Sequence, residues 1–231
     1  MAKVTKPQIQ DLYKFTRQHF VEHYDVQTEL VDHLANDIEQ IWLEYPDLSY
    51  EEAKQKSFKK FGVFGFMDVV EQRQKTMSKR YMKIFWRYAK EWFSIPKIVI
   101  TITLFLVLFV AFSLRYSNVV LVCVYGSVAL WSTYKSILLN RQFKSKKELS
   151  NKRWLLEELI FKQAGASGLI LISQIPTWYN LVDGLNSNIY FVVGLALLSA
   201  IFIIWMYISL ELLPNKAEKL LEETYPEYKI V

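Results

Sequence analysis

A single cysteine, Cys123, excludes a disulfide framework and any zinc site built on thiolates. It lies in an apolar run, where a lone thiol packs as a small hydrophobe. The phosphate-cradling GxxxxGK[ST] loop, GxSxG, GxGxxG and HExxH are all missing, so no residue set argues for an enzyme. The first residues, "MAKVTKPQIQDLYKF", have no apolar core of signal-peptide length, and the N-terminal region is expected to stay in the cytoplasm. No period-2 alternation bounded by turn signals points to a barrel.

Apolar and aromatic residues are abundant. They make up 52% and 16% of 231 residues, high for a water-soluble chain, while charged residues still account for 22%. Charge must therefore be segregated from the apolar segments. The net charge of +5 fits an anionic membrane surface or nucleic acid.

Four stretches approach membrane-spanning length, ~20 residues each. They cover about 97–114, 118–139, 160–179 and 188–213. Lys and Arg crowd the segment before the first stretch and the loop after the second, whereas the loop "PTWYNLVDGLNSN" has none. Basic residues at alternate ends place both termini in the cytoplasm. The expected architecture is all-α: a helical module over 1–76, a basic amphipathic interfacial helix over 77–96, a four-helix transmembrane bundle over 97–213 and a cytoplasmic tail over 214–231.

In the 77–96 segment Met77, Tyr81, Ile84, Phe85, Tyr88, Trp92 and Phe93 share one helical face. Lys79, Arg80, Lys83, Arg87 and Lys90 fall mostly elsewhere, so these cations and Trp92 are the expected contacts to anionic lipid of the inner leaflet. The alternatives are a helix packed on the rest of the chain or one continuing into the first span. Membrane proximity already accounts for the basic residues, so no direct nucleic-acid partner is expected.

Within the module, Val26, Leu30, Leu34, Ile38, Ile41 and Trp42 form the stripe of one helix, which Asp25 can cap. Ser49 and Glu52 form a capping box for the next, and Gly62 closes it. The residues Glu29, Leu30, His33 and Leu34 ("EL-x-x-HL"), then Leu48, Ser49, Glu51, Glu52 and Ala53 ("LS-x-EEA"), then Phe61 and Gly62 ("FG") resemble the HTH-associated α-helical signalling (HAAS) domain. They are similar also to permease-prefix and DUF1700-type regions of bacterial membrane proteins. The likeness covers about a third of the chain, and "VFGFMDVV" after Gly62 departs from it. It implies a small cytoplasmic helical module on a bacterial inner-membrane protein, with a protein partner or a second copy to engage. It is nearly silent on activity.

Two sets of ionisable residues stand out. His19 with His23, and Glu29 with His33 and Asp37, share helix faces as metal ligands can, but the spacing is common, and neither metal nor cofactor is expected. Lys135, Lys162 and Glu211 lie near the cytoplasmic ends of apolar stretches. They are either ordinary interfacial residues or an interhelical ion pair, Glu211 with Lys135 or Lys162. The residues favour a non-enzymatic membrane protein with a partner-binding or signalling module. The alternative is a subunit or regulator of a transporter or channel.

Overall fold

Thr5 opens the first helix by exchanging bonds with Gln8, and Pro7 supplies a preset φ in the first turn. The helix, α1 (Lys6–Gln18), stops where Phe20 takes a positive φ of 64°. Helix α2 (Tyr24–Glu44) carries the expected apolar stripe, and Leu30, Leu34 and Ile38 are fully buried. Asp25 does not cap α2. Its carboxylate instead accepts the Leu155 backbone N–H at 3.2 Å, at the start of helix α7 (155–162). The Ser49 and Glu52 box stands at the head of α3 (Tyr50–Lys59), with Ser49 N–H donating to Glu52 at 3.0 Å.

The computed structural model describes residues 3–114, 116–149, 152–162 and 188–230, and the chain is all-helical over these. It divides into two compact units. One is 1–79 with 149–156, and the other is 80–148 with 157–231. The division falls inside α4 (Met67–Glu91), which runs without a break across the boundary expected at 76/77. Its sequence contains neither Gly nor Pro, so nothing interrupts it before the turns leading to Pro96.

The first unit closes its core with α1, α2, α3, the start of α4 and the strip 152–156. That strip is a clasp. Tyr24 N–H donates to the Arg153 carbonyl at 2.7 Å, Trp154 packs edge-on to Tyr24, and the Arg153 guanidinium pairs with Glu22.

The second unit contains α5 (Lys97–Phe112), α6 (Ser117–Leu149), α8 (Ile189–Tyr207), a π-helical turn (Ile208–Leu212), α9 (Leu213–Asn215) and α10 (Ala217–Thr224). Two helical stretches, Ser117–Lys146 and Ile189–Asn215, are long and apolar enough to cross a membrane. Only 28% and 33% of their most apolar windows is buried, the reverse of a soluble core helix. Helix α5 is apolar but only 16 residues long, shorter than expected for the first span. The expected third span, 160–179, lies outside the described residues beyond Lys162, as does the small-residue run Ala164–Gly168. The tail expected over 214–231 is folded: Ala217, Leu220 and Leu221 are buried.

Candidate functional site

One face of α2 carries Glu29, His33 and Asp37 at intervals of one helical turn. With the end of α3 and the first turns of α4, that face encloses a cleft of about 440 Å³, within the range of small-ligand and side-chain pockets. Leu30, Phe61 and Val69 provide its apolar lining, and Ser57, Lys60 and Gln72 its polar one. Two ion pairs frame it, Glu29 with Arg73 at 3.0 Å and Asp37 with Lys60 at 2.5 Å.

Two lining residues carry a buried polar atom that makes no hydrogen bond among the described residues: Glu29, whose Oε2 meets Arg73 only as an ion pair, and Ser57, which has no charge partner either. Ser57 is 1% exposed, yet its hydroxyl has no hydrogen-bond partner among the described residues. A buried hydroxyl without a partner costs free energy, ~1–3 kcal/mol. His33 stands on the rim, exposed to solvent. The cleft therefore offers an unused hydroxyl, an exposed imidazole and an apolar lining.

The other residues of the "EL-x-x-HL … LS-x-EEA … FG" pattern hold this geometry. Leu30, Leu34 and Ala53 are buried, Phe61 stacks edge-on to Phe66 at 4.9 Å, and Gly62 takes the left-handed conformation (φ 77°) that ends α3. Ser49 and Glu52 fix the start of α3, and the Ser49 hydroxyl and N–H hold the Glu52 carboxylate below its ordinary pKa. Asp11, Tyr50 and Lys54 lock α3 to α1. Lys54 is buried and binds Asp11 at 2.7 Å, and that bond holds the Asp11 carboxyl below its ordinary value.

His19 is part of an aromatic layer, not of the cleft. Its Nδ1 donates to the Phe15 carbonyl at 2.8 Å, and its ring packs on Phe58 at 4.5 Å. His23 is buried at the N-cap position of α2. Among the described residues no three His, Cys, Asp or Glu side chains gather as a metal site.

The second unit places the remaining residues. Lys79, in the first unit, and Arg80, Lys83, Arg87 and Lys90 are all exposed along α4. The opposite face is occupied within the chain: Phe85 packs on Trp205 at 4.1 Å and Trp92 on Tyr207 at 5.5 Å. Tyr81, Phe85 and Tyr88 are buried, so the aromatic face is covered by protein and the basic face is the one left open. Arg87 reaches Glu223 at 3.4 Å.

Lys135 and Glu211 lie 2.5 Å apart, both about a quarter exposed. Lys162 pairs instead with Glu158, one turn back on its own helix. Glu211 sits in the π-helical turn just before Pro214, which has no N–H to donate to the preceding turn. Tyr125 and Ser199 share a buried hydrogen bond of 2.7 Å, a contact the apolar runs gave little reason to anticipate.

Known protein families, characterised proteins and solved structures offer no match to this chain.

Proposed function

We propose that this chain is a non-enzymatic, multi-pass protein of a bacterial inner membrane whose cytoplasmic helical module engages a protein partner. Both termini are cytoplasmic, and four helices cross the bilayer. The observation that carries the reading is the cleft on α2, with its unused Ser57 hydroxyl and exposed His33 beside an apolar lining. A protein partner, or a second copy of this chain, supplies a side chain that fills the lining and bonds the hydroxyl. The membrane part is supported by the exposed Ile, Leu and Val side chains along α5, α6 and α8, too many for a surface in water.

The test is purification in gentle detergent with identification of co-purifying chains. Gln72→Trp, which fills the cleft from its exposed rim, should abolish recovery of the partner while leaving the helical content intact. A partner retained at full level by that variant overturns the assignment to the cleft. Reporter fusions at Asn186 and after Val231 should lie on opposite sides of the membrane, and the same side for both overturns the topology.

A second reading has its own observation. Lys135 with Glu211 at a π-helical turn, and Tyr125 with Ser199, are polar contacts between helices of membrane-spanning length. They support a transporter or channel subunit. Solute flux in proteoliposomes, lost in Glu211→Gln, would favour it.

A further inference from the structure

Two turns of the first unit expose large apolar side chains at the same end. Phe20, between α1 and α2, is 81% exposed, and Val63 and Phe64, between α3 and α4, are 98% and 71% exposed. The two turns flank one aromatic layer: His19 packs on Phe58 and Phe66, and Phe61 packs on Phe66. Phe20 directly follows His19, and Phe64 precedes Phe66 by two positions.

The backbone holds these rings outward. Phe20 has a φ of 64°, a left-handed conformation that costs a non-glycine residue ~1–3 kcal/mol. With its ring in solvent, no burial within the chain offsets that cost. Gly65, on the far side of Phe64, also has a positive φ, and a Cβ there would meet the Phe58 ring at 3.1 Å. Glycine at 65 therefore lets the turn pack directly on the Phe58 ring, while Phe64 beside it stays exposed.

The surroundings are basic. Arg17, Lys59 and Lys60 are exposed on the last turns of α1 and α3. Glu22, Asp37 and Asp68 are the acidic side chains near this end; Arg153 binds Glu22 and Lys60 binds Asp37, which leaves Arg17 and Lys59 as the cations that face outward. The clasp strip that holds Glu22 and Tyr24 follows the apolar stretch Ser117–Lys146 after only a few residues of chain. A bilayer crossed by that stretch is thus covalently within reach.

We propose that Phe20, Val63 and Phe64 form a membrane-inserting tip, whose apolar side chains enter the interfacial zone of an anionic leaflet while Arg17 and Lys59 meet the headgroups. This rests on the membrane reading above. Lipid is the occupant because the apolar side chains project from two turns, each beside an exposed cation, Arg17 and Lys59, the pattern of insertion between headgroups.

The test uses the full chain in nanodiscs of phosphatidylglycerol and phosphatidylcholine. With Cys123→Ser as background, Phe64→Cys carries an environment-sensitive fluorophore, and Asp47→Cys, exposed between α2 and α3, is the reference. Lipids bearing a nitroxide near the headgroup should quench the probe at 64 several-fold more than the probe at 47, and its emission should shift to the blue. Equal, weak quenching at both positions overturns the tip. A blue shift that depends on protein concentration and ignores the nitroxide identifies a second copy as the occupant and also overturns it. Carbonate extraction of the native membranes separates the two layers of the argument. A chain released by carbonate defeats the membrane reading and the tip together, whereas an embedded chain with an unquenched probe defeats the tip alone.

Discussion

The two units use the same side chains in opposite ways. The first buries Leu12, Leu30, Leu34 and Ile38 and turns most of its charge outward, Asp25 and Lys54 excepted. The second leaves Ile100, Val107, Leu130, Leu198 and Ile201 exposed and buries Ser132 and Ser199. A surface in water places its apolar groups inside, because ~25 cal/mol is gained per Å² removed from solvent. A surface in hydrocarbon gains nothing that way, and packing and internal hydrogen bonds decide what is buried. The contrast is the one expected of two units that fold against different solvents, as the proposed function requires.

The largest expected effects break that contrast directly. Leu34→Ala should cost ~2–5 kcal/mol, read as faster amide exchange throughout α1 to α3 in the full-length protein. Leu198→Ala, on the exposed face of α8, should cost little. Leu198→Arg should then impair membrane insertion by ~3 kcal/mol, the scale for a cation near the centre of a span. If that face met water, the same Arg would change stability by less than ~0.5 kcal/mol. Normal insertion and abundance of Leu198→Arg would show that the two units share one solvent.

A second prediction sharpens the picture of the first unit through its polar side. Asp11→Asn removes the charge bonded by the buried Lys54 and should cost ~1–2 kcal/mol at neutral pH, trimmed by solvent because Asp11 is partly exposed. The folded-state pKa of Asp11 is lowered, so its contribution is present above the ordinary carboxylate value and is lost as pH falls through the folded value. The gap between wild type and Asp11→Asn, measured by urea-dependent exchange of the α1 amides, should close on acidification. A gap that widens would reverse the assigned sign.

Local devices were legible in the residues and distant ones were not. Ser49 and Glu52 are three positions apart, and their capping box follows from helix geometry alone. Lys135 and Glu211 stand out as ions in apolar stretches, but residue types do not say which lysine finds the glutamate. The clasp was invisible: Asp25 has the look of a cap for its own helix, yet it serves Leu155, 130 positions away. The cleft was half visible. Glu29, His33 and Asp37 share a face by periodicity, while Ser57, Lys60 and Gln72 reach it through the angle at which α3 and α4 cross α2. The aromatic face of α4 was legible as a face, but what covers it depends on Trp205 and Tyr207, more than a hundred residues on.

A third, smaller effect tests how independently the first unit keeps its helices. Ser49→Ala should cost ~1 kcal/mol, because the Glu52 N–H and the Glu52 carboxylate both lose a partner. Exchange should rise in the first turn of α3 before it rises elsewhere. Unchanged protection there would mean that α3 is held by the Lys54 network and not by its cap.

The smallest expected effect concerns Phe20, and its sign is opposite to the others. Glycine adopts a φ of 64° without steric penalty, so Phe20→Gly relieves strain in the folded chain. It also gives the unfolded chain more freedom, which returns part of the gain. The net expectation is a stabilisation of ~0.5 kcal/mol in detergent, since the ring is 81% exposed and little packing is lost. In nanodiscs the same substitution should weaken nitroxide quenching at position 64, because one of three inserting side chains is gone. A residue kept for packing would show loss of stability in detergent, and that result would move Phe20 from the membrane tip to the core. Stabilisation in detergent together with weaker lipid contact would show a side chain that works against its own fold and for its attachment to the bilayer.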